Sequence, residues 1–149
     1  MSTKSLFAGA LLLLTAALTG CNPLPLAKPE ADTLAKQMKP VADKAVIFLF
    51  RNEAPSAPWA LRVTLDGKEM GDTSAMTYFR WTVEPGEHTI VSYSENAPGL
   101  LIKAEPGHIY YVWQEVNTGF FRPRTELHLV DRMTAEIALR SCYLLEGKS

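Results

Sequence analysis

The stretch Ala45-Val-Ile-Phe-Leu-Phe50 is apolar at both odd and even positions. Successive side chains on a strand point to opposite faces, so a segment apolar on both parities suits a central strand covered on both sides. Downstream, short segments of high β-propensity alternate with clusters of Gly, Pro, Asn and Asp. Leu61, Val63 and Leu65 alternate with Arg62 and Thr64, and Asp66-Gly67 supplies a turn tolerant of positive φ, so this strand leads into a hairpin. Over 77–83, Phe79, Trp81 and Val83 share one face and read as core, with Tyr78, Arg80 and Thr82 opposite. Glu84-Pro85-Gly86 and Glu105-Pro106-Gly107 repeat one tripeptide. Pro followed by Gly suits a type II turn, and strands over 88–93 and 109–116 follow. Shorter strands are expected over 100–103 and 125–130. Asp131 is placed to cap a helix running to Leu145, with Met133, Ile137 and Leu144 on its inner side. Residues 45–149 are therefore expected to be mainly β: a single β-sandwich-like domain of about seven antiparallel strands with a C-terminal α-helix.

Working back toward the amino terminus, residues 21–44 carry prolines at 23, 25, 29 and 40 among Lys, Asp and Ala. That composition suits an extended, flexible tether with a short helix over Glu30 to Lys39. Fully extended, Asn22 to Lys44 would reach about 75 Å at roughly 3.3 Å per residue.

Residues 1–20 have the layout of a secretory signal: a short positive start to Lys4, then Leu6 to Leu18, apolar apart from Thr15. As a helix the apolar run would span about 20 Å against about 30 Å for a bilayer core, so a stable transmembrane helix is the weaker reading. Leu18-Thr19-Gly20-Cys21 resembles the lipobox of bacterial lipoproteins, with an aliphatic residue, two small residues and the cysteine all in place. The resemblance implies cleavage before Cys21 and a covalent lipid on its thiol, with palmitate-type acyl chains anchoring the protein to a membrane. Asn22 stands at the position that helps sort lipoproteins in enteric-type bacteria, and points to the outer membrane facing the periplasm.

The run Ala45 to Leu139 also resembles the bacterial lipoprotein domain-of-unknown-function family 2846. The carrying residues are the hydrophobic strand ending Phe50-Arg51, then Val63-Thr-Leu-Asp-Gly-Lys68, and Tyr78-Phe79 ahead of Glu84-Pro-Gly-Glu-His88. Glu105-Pro-Gly-His-Ile-Tyr-Tyr-Val112 and Glu126-Leu-His-Leu-Val130 continue the series. The resemblance implies a small β-sandwich module and brings no activity or functional residue with it.

The chain has 149 residues, 47% of them apolar and 21% charged, which is enough for one globular core and marginal for two. A net charge of −1 gives no basic footprint for nucleic acid. Two cysteines, Cys21 and Cys142, build neither a disulfide framework nor a metal cluster. Cys142 reads as a buried, inert thiol late in the helix, with intermolecular pairing in an oxidising envelope as the alternative. His88, His108 and His128 recur every twenty residues. Repeated turns explain the first two, and no carboxylate or cysteine is read at ligand spacing, so no metal or cofactor is expected. Nucleophilic and paired-carboxylate signatures are absent from the sequence, which favours a binding protein over an enzyme.

The best binding candidate is Gly119-Phe-Phe-Arg-Pro-Arg124, because aromatics and Arg dominate binding hot spots. Phe120 and Phe121 either form that surface, with Arg122 and Arg124, or plug the end of the sandwich while the arginines face water. Trp59, behind Ala-Pro-Ser-Ala-Pro58, is a second candidate, and Tyr78 and Arg80 would extend the surface if their sheet face is uncovered. The expected function is a lipid-anchored envelope module that binds or scaffolds an envelope protein or glycan. The alternatives are a carrier holding a small or lipidic ligand between the sheets, and a hydrolase gathering His108 or His128 with a carboxylate.

Overall fold

Residues 24–53 and 59–147 are described by the computed structural model. Within them the chain runs α1 (Pro29–Ala35), β1 (Ala45–Arg51), β2 (Leu61–Leu65), β3 (Lys68–Thr73), β4 (Thr77–Val83) and β5 (Gly86–Ser92). It continues with β6 (Gly99–Ala104), β7 (Ile109–Asn117), β8 (Arg124–Val130), α2 (Arg132–Leu139) and β9 (Tyr143–Leu144). The described strands form two sheets, ordered β8-β7-β1-β4-β9 and β3-β2-β5-β6. The mainly β, sandwich-like expectation thus holds, with nine strands among the described residues rather than about seven.

Every residue of β1 is buried. Ala45, Ile47 and Leu49 enter the layer between the sheets, where Val63, Phe79, Trp81, Ile90, Ile102 and Val112 meet them. Val46, Phe48 and Phe50 point the other way, into a second cluster with Tyr78, Tyr111, Ala135, Leu139 and Cys142. Burying each of the larger apolar side chains contributes about 2 kcal/mol, so β1 holds two layers at once. β1 pairs antiparallel with β4 but parallel with β7, and β4 pairs parallel with β9. The expected all-antiparallel arrangement fails because the chain leaves this sheet to build the other one and returns to β7 in β1's own direction.

Two strands escape the sequence pattern. β3 reads Lys-Glu-Met-Gly-Asp-Thr, poor in strand formers, and is set by pairing with β2 at the sheet edge. β9 is two residues in the stretch expected to be helix. Asp131 does cap α2, its carboxylate accepting from the Thr134 amide at 2.9 Å, but the helix ends at Leu139. Its buried face is Ala135, Ala138 and Leu139, whereas Met133 and Ile137, expected inside, are 72% and 62% exposed. The sheet already offers Phe48, Phe50 and Tyr111 there, so the middle of the helix approaches through alanines and a single large residue, Leu139, is buried at its end.

The described part of the expected tether is docked. Leu24 packs on the core between the sheets, Leu26 bridges to Leu145, and Ala35 and Met38 are buried in the second cluster. Pro29 begins α1, where a missing N–H is harmless, so a proline that reads as a helix breaker starts one instead. Asp32 fastens α1: its carboxylate accepts from the Tyr78 hydroxyl and the Leu144 amide, both at 2.9 Å, and pairs with Lys36 at 2.8 Å. Asp32→Ala should therefore lower the unfolding free energy in urea by about 2 kcal/mol, the scale of hydrogen bonds to a charged group, and open residues 24–36 to protease. Unchanged stability would mean that the Asp32 contacts do not hold this segment to the fold.

Candidate functional site

β7 and β8 form a hairpin in which Asn117 pairs with Arg124, leaving 118–123 as the turn. The turn doubles back so tightly that a Cβ on Gly119 would lie 1.8 Å from the Arg122 carbonyl oxygen, which only glycine avoids. Beside it stands Glu95, on the connection between β5 and β6. Its carboxylate accepts the amides of Phe121 at 2.8 Å, Phe120 at 3.0 Å and Arg122 at 3.2 Å, with the Arg124 guanidinium at 3.5 Å. Three successive amides converging on one carboxylate make an anion nest filled from within the chain. These amides, led by that of Phe121, hold the Glu95 carboxyl down at about 2.

Glu95 is itself positioned by a buried polar chain. Thr73 donates to the Gln114 side-chain carbonyl at 2.8 Å, and Gln114 donates to Ser92 at 2.7 Å. Ser92 contacts the Thr125 hydroxyl at 2.9 Å. Asn96 then clasps the Thr125 backbone, donating to its carbonyl at 2.8 Å and accepting from its amide at 2.9 Å. Glu95, between Ser94 and Asn96, is thereby set against the turn, and its amide donates to the Pro123 carbonyl at 3.0 Å.

With the backbone held, Phe120 and Phe121 stand 84% and 83% exposed, rings edge to face at 4.5 Å. The reading in which they plug the sandwich is overturned: Thr73, Ser92, Gln114 and Thr125 already fill that end with satisfied polar groups. The Arg122 guanidinium lies 5.7 Å from the Trp59 ring centroid, near enough for a cation–π contact. Buried Arg51, at the end of β1, donates to the Trp59 carbonyl at 3.0 Å and pairs with Glu53. Trp59, Phe120, Phe121 and Arg122 thus line one open cleft of about 310 Å³.

Tyr78 does not belong to this surface. It is fully buried beneath α1, where burial first and then Asp32 raise the pKa of its phenol. Arg80 lies on β4, two strands from β7, and donates to Thr82 at 3.2 Å. Leu18, Thr19, Gly20 and Cys21 lie outside the described residues. Cys142 is buried in the turn after α2, its thiol pushed up to about 12 by that burial, as suits an unreactive cysteine.

The evenly spaced histidines have separate partners. His88 contacts Asp66 at 2.6 Å, His108 lies 3.7 Å from Glu105, and His128 meets Glu115 at 2.9 Å and Glu126 at 3.7 Å. The expectation that no carboxylate sits at ligand spacing is therefore corrected at His128, where three possible ligand atoms lie within 4.8 Å of one another. The missed signal was Glu126-x-His128, a period-two spacing that puts both side chains on one strand face.

Fold and surface together define a small two-sheet β-sandwich-like protein with an aromatic hairpin tip. The chain belongs to the same family as a protein of Haemophilus influenzae described as uncharacterized, 30% identical over 121 residues that cover 79% of this chain and 72% of that protein. No family model matches the chain, and no solved structure matches it.

The nest yields a pH prediction. Because folding lowers the Glu95 pKa from 4.5 to about 2, its hold on the tip is complete above 4.5 and is lost as pH falls through about 2. The amide resonances of Phe120, Phe121 and Arg122 should shift together with that low midpoint. In Glu95→Gln their hydrogen exchange at neutral pH should rise about tenfold, as a local opening made easier. A midpoint near 4.5 with unchanged exchange would refute the nest.

Proposed function

We propose that the chain is a cell-envelope lipoprotein, acylated on Cys21, that works as a binding or scaffolding module through the Phe120-Phe121 tip. The observation that carries the binding reading is the exposure of both phenylalanines on a backbone held by Glu95. Holding a large apolar ring in water forgoes about 2 kcal/mol that burial would return, so a rigidly presented pair suits a surface covered by a partner. Trp59 and Arg122 extend the aromatic surface, and Arg124 adds a charged rim. The partner this chemistry fits is an envelope protein with an apolar recess edged by carboxylates. The filled layer between the sheets favours such surface binding over a ligand carried inside.

The address rests on Leu18 to Cys21, and Asn22 favours the outer membrane. With the chain docked from Leu24 onward, only Asn22 and Pro23 separate the anchor from the domain. An acylated protein then holds its domain within about 10 Å of the lipid, at roughly 3.3 Å per residue, far short of a long tether's reach.

Cys21→Ala should abolish acylation and leave an uncut precursor on a gel, and normal processing in that variant would sink the lipoprotein reading. In-cell cross-linking of the lipidated chain, read by mass spectrometry, should yield one dominant envelope protein. Phe120→Ala/Phe121→Ala should cut its recovery about tenfold, the scale of losing a hot spot, without lowering the thermal midpoint. Equal recovery with both rings removed would exclude the tip as the binding surface.

A further inference from the structure

We propose that Glu115, Glu126 and His128 bind one divalent transition-metal ion of the Zn²⁺ type on the outer face of the β7–β8 hairpin. Trp113 pairs with His128 and Glu115 with Glu126 across the two strands. Alternate residues share a face, so all four side chains lie on the same side. Two glutamates directly opposite each other repel, and among the described residues neither is paired with Lys or Arg. The polar atom between them is His128 Nε2, 2.9 Å from Glu115 Oε2 and 3.7 Å from Glu126 Oε2.

Those two separations are near the ones a bound ion needs, and all three ligand atoms lie within 4.8 Å of one another. With metal–ligand bonds of about 2.1 Å, donor atoms around a tetrahedral ion lie roughly 3.4 Å apart, a value the two distances bracket. Small rotations of the glutamates, whose side chains are 31% and 63% exposed, complete the fit. The imidazole is oriented by the Trp113 ring, 5.4 Å away centroid to centroid. One imidazole nitrogen with two carboxylates is a borderline donor set that suits Zn²⁺ better than Mg²⁺ or Ca²⁺. Three protein ligands on a half-exposed face leave at least one position for water. Neutralising the facing glutamates is what the ion contributes to the hairpin.

Trp113 makes the site readable. The full chain, stripped with chelator, is titrated with ZnCl₂ by calorimetry and with NiCl₂ while tryptophan emission is followed. One Zn²⁺ per chain and saturable quenching by Ni²⁺ are expected. His128→Ala, Glu115→Gln and Glu126→Gln should each weaken Zn²⁺ by about tenfold or more, as loss of one of three ligands requires, while His108→Ala leaves it unchanged. Trp113→Phe should remove most of the quenching and keep the calorimetric binding. The two glutamine variants preserve side-chain shape, and metal-free thermal midpoints no lower than the parent's establish that affinity rather than folding has changed. No saturable Zn²⁺ binding by the parent, or equal binding by His128→Ala and His108→Ala, overturns the site.

Discussion

Gln114 is a fully buried amide that, with Thr73, Ser92 and Thr125, forms a polar end to an otherwise apolar layer between the sheets, and the fold depends on satisfying it. An unpaired amide there would be costly, by about 1–3 kcal/mol for each orphaned group. Its partners are Thr73 on β3 and Ser92 on β5, in the sheet opposite β7, so the two sheets are joined by hydrogen bonds as well as by apolar contact. Shifting β7 by one residue would turn Gln114 away from both hydroxyls and bring Trp113 or Glu115 into its place. The polar chain therefore fixes register where apolar packing alone tolerates slippage.

That constraint extends outward to the surface. Ser92 passes it to Thr125, Thr125 to Asn96, and Asn96 brings Glu95 against the hairpin turn. Arg51, buried at the end of β1, fixes the Trp59 backbone from the other side. The tip needs no core of its own, because its backbone is held by groups whose positions the sandwich has already determined. Phe120 and Phe121 are accordingly free to face water without the turn collapsing onto them.

What was legible in the sequence was local or periodic. β1 declared itself by being apolar on both parities, Phe79, Trp81 and Val83 by alternation, Asp131 by its place before a helix, and the tip by its composition. What was not legible depends on partners distant in the chain. Asp32 meets Tyr78 and Leu144, so the docking of α1, the burial of Tyr78 and the strand at β9 form one event that no short window contains. α2 shows its alanines to the sheet because of aromatic residues on β1 and β7, which its own periodicity does not report. Glu95 looks like an ordinary loop carboxylate until its amide donors, twenty-five to twenty-seven residues away, are brought beside it.

The β7–β8 hairpin carries both surface features, and the edge position of β8 links them. β8 has a neighbour on one side only, so its outer half is restrained chiefly by its hydrogen bonds to β7. The Glu115–Glu126 repulsion works against that pairing two residues short of the Asn117–Arg124 pair, with the His128 imidazole lying between the two carboxylates. A divalent cation held by both glutamates and the neutral His128 imidazole would neutralise that repulsion and staple the strands. The ordering would pass directly to Asn117 and Arg124, the pair from which the turn springs. Glu95 holds the same turn from the opposite flank, so the rigidity of the Phe120-Phe121 tip is set at two places, one inside the chain's own charge and one open to the surrounding solution.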